Sequence, residues 1–177
     1  MIRLLCFISC LCCLQDEPFI PWEASNKLDW NDFKAPPNTR ERAAALTASG
    51  IAFGFSLTKT ENGDILDFTS TVQAHFYPEQ SWYRIGLADT HVLKHEQLHF
   101  DITELFARKL RQRINTLKVS NSIEFELKKV HDSILEAWSR FQDVYDESTD
   151  YSRDMESQNK WEADVQGALK KLDKFKL

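Results

Sequence analysis

Residues 88–118 read ADTHVLKHEQLHFDITELFARKLRQRINTLK. Apolar side chains recur at intervals of three and four residues along this stretch, which predicts an amphipathic helix. The apolar positions are Val92, Leu93, Leu98, Ile102, Leu105, Phe106, Leu110, Ile114 and Leu117. The stretch also contains His95-Glu96-Gln97-Leu98-His99, the pattern H-E-x-x-H.

The spacing of this motif suits a catalytic zinc site. His95 and His99 are four residues apart, so they lie on one face of a helix, where two imidazoles can bind one Zn²⁺. Glu96 is offset by about 100° around the helix and can reach a water held on the metal. The sequence therefore predicts zinc as cofactor and Glu96 as general base. The alternative is an incidental histidine pair on an amphipathic helix.

A catalytic zinc site normally has a third protein ligand. His91 extends the histidine stripe, but eight helical residues rise about 12 Å, so we expect His91 beside the site or at its entrance. The alternative is a shifted site of His91 and His95, in which Glu96 has a different role. Asp101 and Glu104 are expected to face away from the two histidines. The polar segment 145–153 offers more ligand types, although it also suits a solvated acidic turn. Its candidates are Asp146, Glu147, Asp150 and Tyr151.

Two strand-like runs precede the motif. Residues 44–58 and 65–77 are rich in β-branched and aromatic side chains. The Asn62-Gly63 pair between them is a strong hairpin signal, so we predict two antiparallel strands. Residues 28–33 alternate apolar and polar side chains, which favours a third strand.

Helices dominate the rest of the chain. No proline follows Pro78, and apolar periodicity predicts helices over 123–144 and 154–173, separated by a turn at 145–153. The order of strands and then helices predicts an α+β fold, with a small antiparallel sheet followed by three long helices.

Length and composition describe an ordinary folded chain. Its 177 residues favour one domain, and 42% of them are hydrophobic. The formal net charge of −5 gives no support for nucleic acid as a partner.

Residues 1–14, MIRLLCFISCLCCL, have the layout of a secretory signal. Arg3 precedes an apolar run that is too short to span a bilayer. We therefore predict an exported, periplasmic or extracellular domain over 15–177, without a transmembrane span. All four cysteines lie in the signal, so the exported chain has no disulfide. The run Phe7-Ile8-Ser9-Cys10 also suits a lipoprotein signal, with a lipid anchor at Cys10 on the outer membrane. An uncleaved or misassigned start is a further alternative.

The motif and its surroundings resemble the bacterial domain-of-unknown-function 922 family over about residues 28–170. The resemblance rests on Lys94-His95-Glu96-Gln97-Leu98-His99-Phe100-Asp101-Ile102, Ala107-Arg108-Lys109-Leu110, Ser81-Trp82, Tyr145-Asp146-x-x-Thr149 and Gln158-x-x-Trp161. It implies a zincin-like fold and a secreted zinc metallopeptidase, with His95 and His99 as ligands and Glu96 as base.

The family pattern has a third histidine ligand where this chain has Tyr151. The resemblance thus makes the Tyr151 phenolate the predicted third ligand. Tyr151 could instead stabilise an oxyanion, or the third ligand could be lost, with Asp150 and Glu147 as substitutes.

The resulting expectation is a metallopeptidase that hydrolyses a peptide or protein substrate. Residues 65–77 are the strand expected to hold an extended peptide by β-addition. One alternative is a metal-binding or protein-interaction module without turnover. Another is a helical interaction domain in which the histidines are incidental.

Overall fold

The computed structural model describes residues 17–38, 40 and 43–177. The predicted signal at 1–14, with Cys10, lies outside these residues. Among the described residues, no helix is both long and apolar enough to cross a membrane. The strands and α-helices are β1 Ile20–Pro21, β2 Ala45–Leu46, β3 Ser49–Lys59, β4 Ile65–Phe76, β5 Trp82–Tyr83, α1 Thr90–Ile114, α2 Ile123–Ser148 and α3 Met155–Lys171. The predicted α+β class is confirmed.

The predicted hairpin is present. β3 and β4 pair antiparallel, with Ser49 opposite Phe76. The connecting turn closes through a 3.0 Å hydrogen bond from the Gly63 N–H to the Thr60 carbonyl. Gly63 has φ +90°, a conformation that glycine adopts without steric cost.

The prediction of a third strand at 28–33 is wrong. Asp29 accepts a hydrogen bond from Asn31 N, and Asp32 accepts one from Asp29 N, so the segment forms a capped 3-10 helix at Trp30–Asp32. Local capping therefore outweighs the alternating pattern. The third strand of the sheet is β1, which pairs with the end of β4 and gives the order β1-β4-β3. β2 and β5 form a separate two-stranded sheet.

All three predicted helices are present, but α2 is longer than expected. Its predicted end at 144 moves to Ser148, so the first part of the predicted turn is helical. The last turn of α2 is held by tertiary contacts, because Tyr145 is fully buried and Asp146 bonds to side chains of α1. Asp89 and Asp154 cap α1 and α3 through their side chains.

α1 lies at the centre of the fold. It packs against the hairpin as well as against α2 and α3, and its buried side chains continue into the sheet through Phe100 and Phe76, whose rings are 5.8 Å apart. A helix packed against several elements has little freedom to move. The H-E-x-x-H motif is therefore carried on a helix that packs against the hairpin, α2 and α3.

Candidate metal centre

The two motif histidines meet as their spacing predicts. His95 and His99 project from α1 toward the end of α2, and their Nε2 atoms are 3.2 Å apart. Both rings pack against the buried Tyr145 ring, with centroid distances of 4.6 and 4.9 Å. His95 stacks on this ring and His99 meets it edge-on, and the two contacts hold the imidazoles in a defined orientation.

The third group of the cluster comes from the last turn of α2. Asp146 Oδ1 lies 3.0 Å from Nε2 of His95 and 3.0 Å from Nε2 of His99. In a tetrahedral zinc site with bonds of about 2.1 Å, neighbouring donor atoms are roughly 3.4 Å apart. The triangle of His95, His99 and Asp146 is close to that size, so these residues could hold a metal ion.

Two glutamines orient the histidines. His95 Nδ1 lies 3.0 Å from Gln158 Oε1, and His99 Nδ1 lies 2.7 Å from Gln142 Oε1. An amide oxygen only accepts, so each Nδ1 donates its proton and each Nε2 can turn a lone pair toward the cluster. Gln142 also donates to the His99 carbonyl at 3.0 Å, which fixes which end of its amide faces the ring.

The contacts within the cluster shift the pKa values of His99 and Asp146 in opposite directions. Burial alone lowers the pKa of His99, but the hydrogen bond to Asp146 and the nearby Glu96 charge outweigh it, so this pKa is raised. Burial acts in the opposite direction on Asp146, yet its bonds to His95 and His99 hold the pKa of its carboxyl well below the usual range. Burial raises the pKa of Tyr145, which keeps this phenol protonated.

The cluster opens into a cleft of about 460 Å³. Glu96 lines this cleft together with His95, His99 and Asp146, and only 4% of Glu96 is exposed. The opposite wall is the segment 43–49, which includes β2. Glu96, which is not part of the donor triangle, therefore lines the same space as the histidines.

The structure brings one of the four candidates in segment 145–153 to the histidines. That residue is Asp146, whereas Glu147 is exposed and Asp150 pairs with Arg153 at 2.7 Å. Tyr151 lines the cleft with 60% of its surface exposed, and its role as a ligand stays a prediction. His91 contacts the carbonyl of Ser152.

Asp101 and Glu104 face away from the histidines, as predicted. Asp101 accepts hydrogen bonds from Trp22 at 2.7 Å and from Gln97 at 2.9 Å. Glu104 pairs with Arg108 at 2.8 Å. Both carboxylates are buried with partners of their own.

The strand that borders the cleft differs from the expected one. β4, within residues 65–77, is paired with β3 along its length and with β1 at its end. The cleft is lined instead by 43–49. Within it, the Ala44 carbonyl accepts from Arg84 N at 2.8 Å, and Ala45 and Leu46 lie opposite Tyr83 and Trp82. Because bonded and non-bonded pairs alternate, Ala45 turns its backbone groups away from β5.

The profile of the family described as "Bacterial protein of unknown function (DUF922)" matches residues 21–153. The chain belongs to the DUF922 family. No curated protein and no solved structure matches it. In this DUF922 chain the matched range contains His95, Glu96, His99 and Asp146, so the whole donor triangle lies within the family region. Gln158 of α3 follows it.

Two polar residues at the site have no role assigned from the sequence. They are Gln142 and Gln158, and Gln158 enters only through the family match Gln158-x-x-Trp161. Gln142 precedes Asp146 by four residues, so both lie on one face of α2, and this spacing is a signal once the helix is known to reach Ser148. Gln158 carries no comparable local signal, because it reaches His95 from a separate helix.

Proposed function

We propose that this chain is an exported zinc-dependent metallopeptidase. The observation that carries the proposal is the donor triangle of His95 Nε2, His99 Nε2 and Asp146 Oδ1, with sides of 3.0 to 3.2 Å. Two imidazoles and one carboxylate form a donor set that suits catalytic Zn²⁺, which keeps an open position for water or substrate. The glutamine bonds to both Nδ1 atoms support the same assignment.

The chemistry follows from the residues around the triangle. A bound Zn²⁺ would supply Lewis acidity, polarising a peptide carbonyl and lowering the pKa of water. Glu96, in the same cleft, takes a proton from the attacking water while the water oxygen forms a bond to the carbonyl carbon. It then delivers that proton to the amine nitrogen as the C–N bond breaks. The products are a carboxylic acid and an amine, and Glu96 returns to its starting state.

The cleft wall suits an extended peptide. Ala45 turns its backbone donor and acceptor to the side of β2 that faces away from β5, and segment 43–49 lines the cleft together with the histidines. A peptide that pairs with this edge would lie next to the triangle, because both line the same cleft, and main-chain pairing needs no particular side chain. We therefore propose a peptide or protein in extended form as substrate.

Zinc content of purified protein tests the metal. We expect about one zinc per chain for residues 15–177. His99→Ala and Asp146→Asn should abolish it, since each removes a donor. Asp143→Asn, at an exposed position of the same helix, is the matched control and should keep the zinc. A native protein without zinc after incubation with excess metal would overturn the proposal.

Hydrolysis of fluorescein-labelled casein tests the reaction. Glu96→Gln should keep its zinc and lose at least about a hundredfold in rate, because only the general base is removed. Glu147→Gln, at an exposed position of α2, should keep both zinc and activity. Zinc-loaded native protein that cleaves neither casein nor a peptide library would instead favour a metal-binding module without turnover.

Export is part of the proposal. It is supported by the signal-like layout of residues 1–14. Cell fractionation should find the protein outside the cytoplasm. Cys10→Ala distinguishes a cleaved signal from a lipid anchor, since only an anchored protein moves from the membrane to the soluble fraction.

A further inference from the structure

The segment Asp150-Tyr151-Ser152 connects α2 to α3 with an unusual backbone. All three residues have positive φ, at 48°, 54° and 72°. This left-handed region is unfavourable for residues with a Cβ, and a bulky residue such as tyrosine is rare there. We call this segment the strap.

Backbone hydrogen bonds and a contact with His91 hold the strap in place. Tyr151 N donates to the Asp146 carbonyl at 2.8 Å, and Asp154 N donates to the Thr149 carbonyl at 2.9 Å. His91 makes the contact from the opposite side, with its Nε2 at the Ser152 carbonyl. A carbonyl only accepts, so the His91 imidazole is the donor. The strap is thus fastened to α1, one helical turn before His95.

The strap carries a phenol at the cleft. Tyr151 and Ser152 line the cleft beside Asp146, and 60% of Tyr151 is exposed. Within the part of the chain that the structure describes, the Tyr151 hydroxyl makes no hydrogen bond. Strained backbone persists only where its surroundings enforce it, and it is concentrated at functional sites. Tyr151 is one of these three strained residues, and its hydroxyl is available to a ligand.

We propose that Tyr151 contacts the bound peptide by donating its phenol hydrogen to a substrate carbonyl oxygen. His91 is a positioning residue, because it holds the strap that presents Tyr151. The proposal rests on the proposed peptidase function and adds two residues to it. It also assigns Tyr151 a role toward substrate and not toward the metal.

Four variants of Tyr151 separate these roles. Tyr151→Phe should keep one zinc per chain and the native melting temperature, while kcat/KM on casein falls at least about tenfold, since only a hydrogen-bond donor is lost. Tyr151→Ala and Tyr151→Gly both lack the phenol and should be equally impaired. In metal-free protein, Tyr151→Gly should melt about 2–4 °C above Tyr151→Ala, because glycine alone is relieved of the left-handed strain. Tyr151→His should keep the zinc, because Tyr151 is not a ligand in this proposal.

Two variants of His91 test the positioning role. His91→Gln can still donate to the Ser152 carbonyl, and it should retain most of the native activity. His91→Leu cannot donate, and it should lower kcat/KM about as much as Tyr151→Phe with zinc content unchanged. The double variant of His91→Leu and Tyr151→Phe should be no worse than either single variant, because His91 acts through Tyr151. Additive losses would overturn this role.

Different experimental results would overturn the role of Tyr151 and the peptidase function. If native protein cleaves casein and Tyr151→Phe cleaves it equally well, the proposal is wrong and the function stands. Loss of zinc in Tyr151→Phe would make Tyr151 a ligand and would also overturn the proposal. If zinc-loaded native protein cleaves nothing, the function fails, and calorimetry with a tripeptide hydroxamate decides the role of Tyr151. Binding weakened about tenfold by Tyr151→Phe supports it, while equal or absent binding overturns it.

Discussion

Gln142 holds His99 from two directions. Its side-chain oxygen accepts from His99 Nδ1 at 2.7 Å, and its side-chain nitrogen donates to the His99 backbone carbonyl at 3.0 Å. One glutamine of α2 therefore sets both the tautomer and the orientation of a metal-binding candidate on α1. This coupling makes the metal affinity depend on a residue that is not itself a donor to the ion.

Gln142→Leu should weaken zinc binding by about 10–100-fold. Leucine has a similar size but cannot accept from Nδ1, so the imidazole loses its preferred tautomer. Competition with a chromophoric chelator measures the Kd. Gln80→Leu, outside the cleft, is the control and should leave the Kd unchanged. An unaltered Kd for Gln142→Leu would show that His99 is oriented by packing on Tyr145 alone.

Metal removal should change stability in a pH-dependent way. The pKa of His99 is raised, so the stability from its pair with Asp146 is complete below about pH 6.5 and is lost as pH rises through the folded-state pKa. The pKa of Asp146 is lowered, so its own contribution persists to well below its usual range. Zinc needs unprotonated imidazoles and binds more tightly as pH rises.

The difference in Tm between zinc-loaded and chelator-treated protein should therefore widen between about pH 5 and about pH 8. Differential scanning calorimetry at several pH values measures it. Asp146→Asn should show little difference at any pH, because it lacks both the ion pair and a donor. A difference in the native protein that stays constant across this range would contradict the prediction.

Asp101→Ala should destabilise the fold by about 2–4 kcal/mol and leave zinc content unchanged. The buried Asp101 carboxylate accepts from Trp22, Gln97 and Gln166, and its removal leaves these donors without their acceptor. Urea unfolding gives the free energy. Asp143→Ala, at an exposed position of α2, should stay within about 0.5 kcal/mol of native. Loss of zinc in Asp101→Ala would link this carboxylate to the metal site.

Two glycines should respond oppositely to alanine. Gly63 lies at φ +90° in the hairpin turn, and a methyl group there would meet open space, so Gly63→Ala costs only the backbone strain of about 1–2 kcal/mol. Gly167 lies within α3 and is also unobstructed, so Gly167→Ala should stabilise the protein by about 1 kcal/mol. Thermal unfolding compares the two. Equal effects would show that the turn does not require glycine.

Local patterns predicted most of the elements, because each depends on neighbours in the chain. Apolar periodicity located α1, α2 and α3, and Asn62-Gly63 located the hairpin. The same patterns gave a wrong strand at 28–33, where the Asp29 cap acts over three residues and prevails over alternation. The end of α2 was also misjudged, since its last turn is stabilised by burial of Tyr145 against α1 and not by its own polar sequence.

Local sequence is enough to put the motif on a helix, with His95 and His99 on one face and Glu96 beside them, because four residues make about one turn wherever the helix lies. The residue that completes the triangle depends instead on how the helices pack together. Asp146 meets the histidines through the packing of α2 on α1, and Gln158 arrives from α3. Contacts between separate helices depend on how their faces pack, and no spacing along the chain encodes that distance.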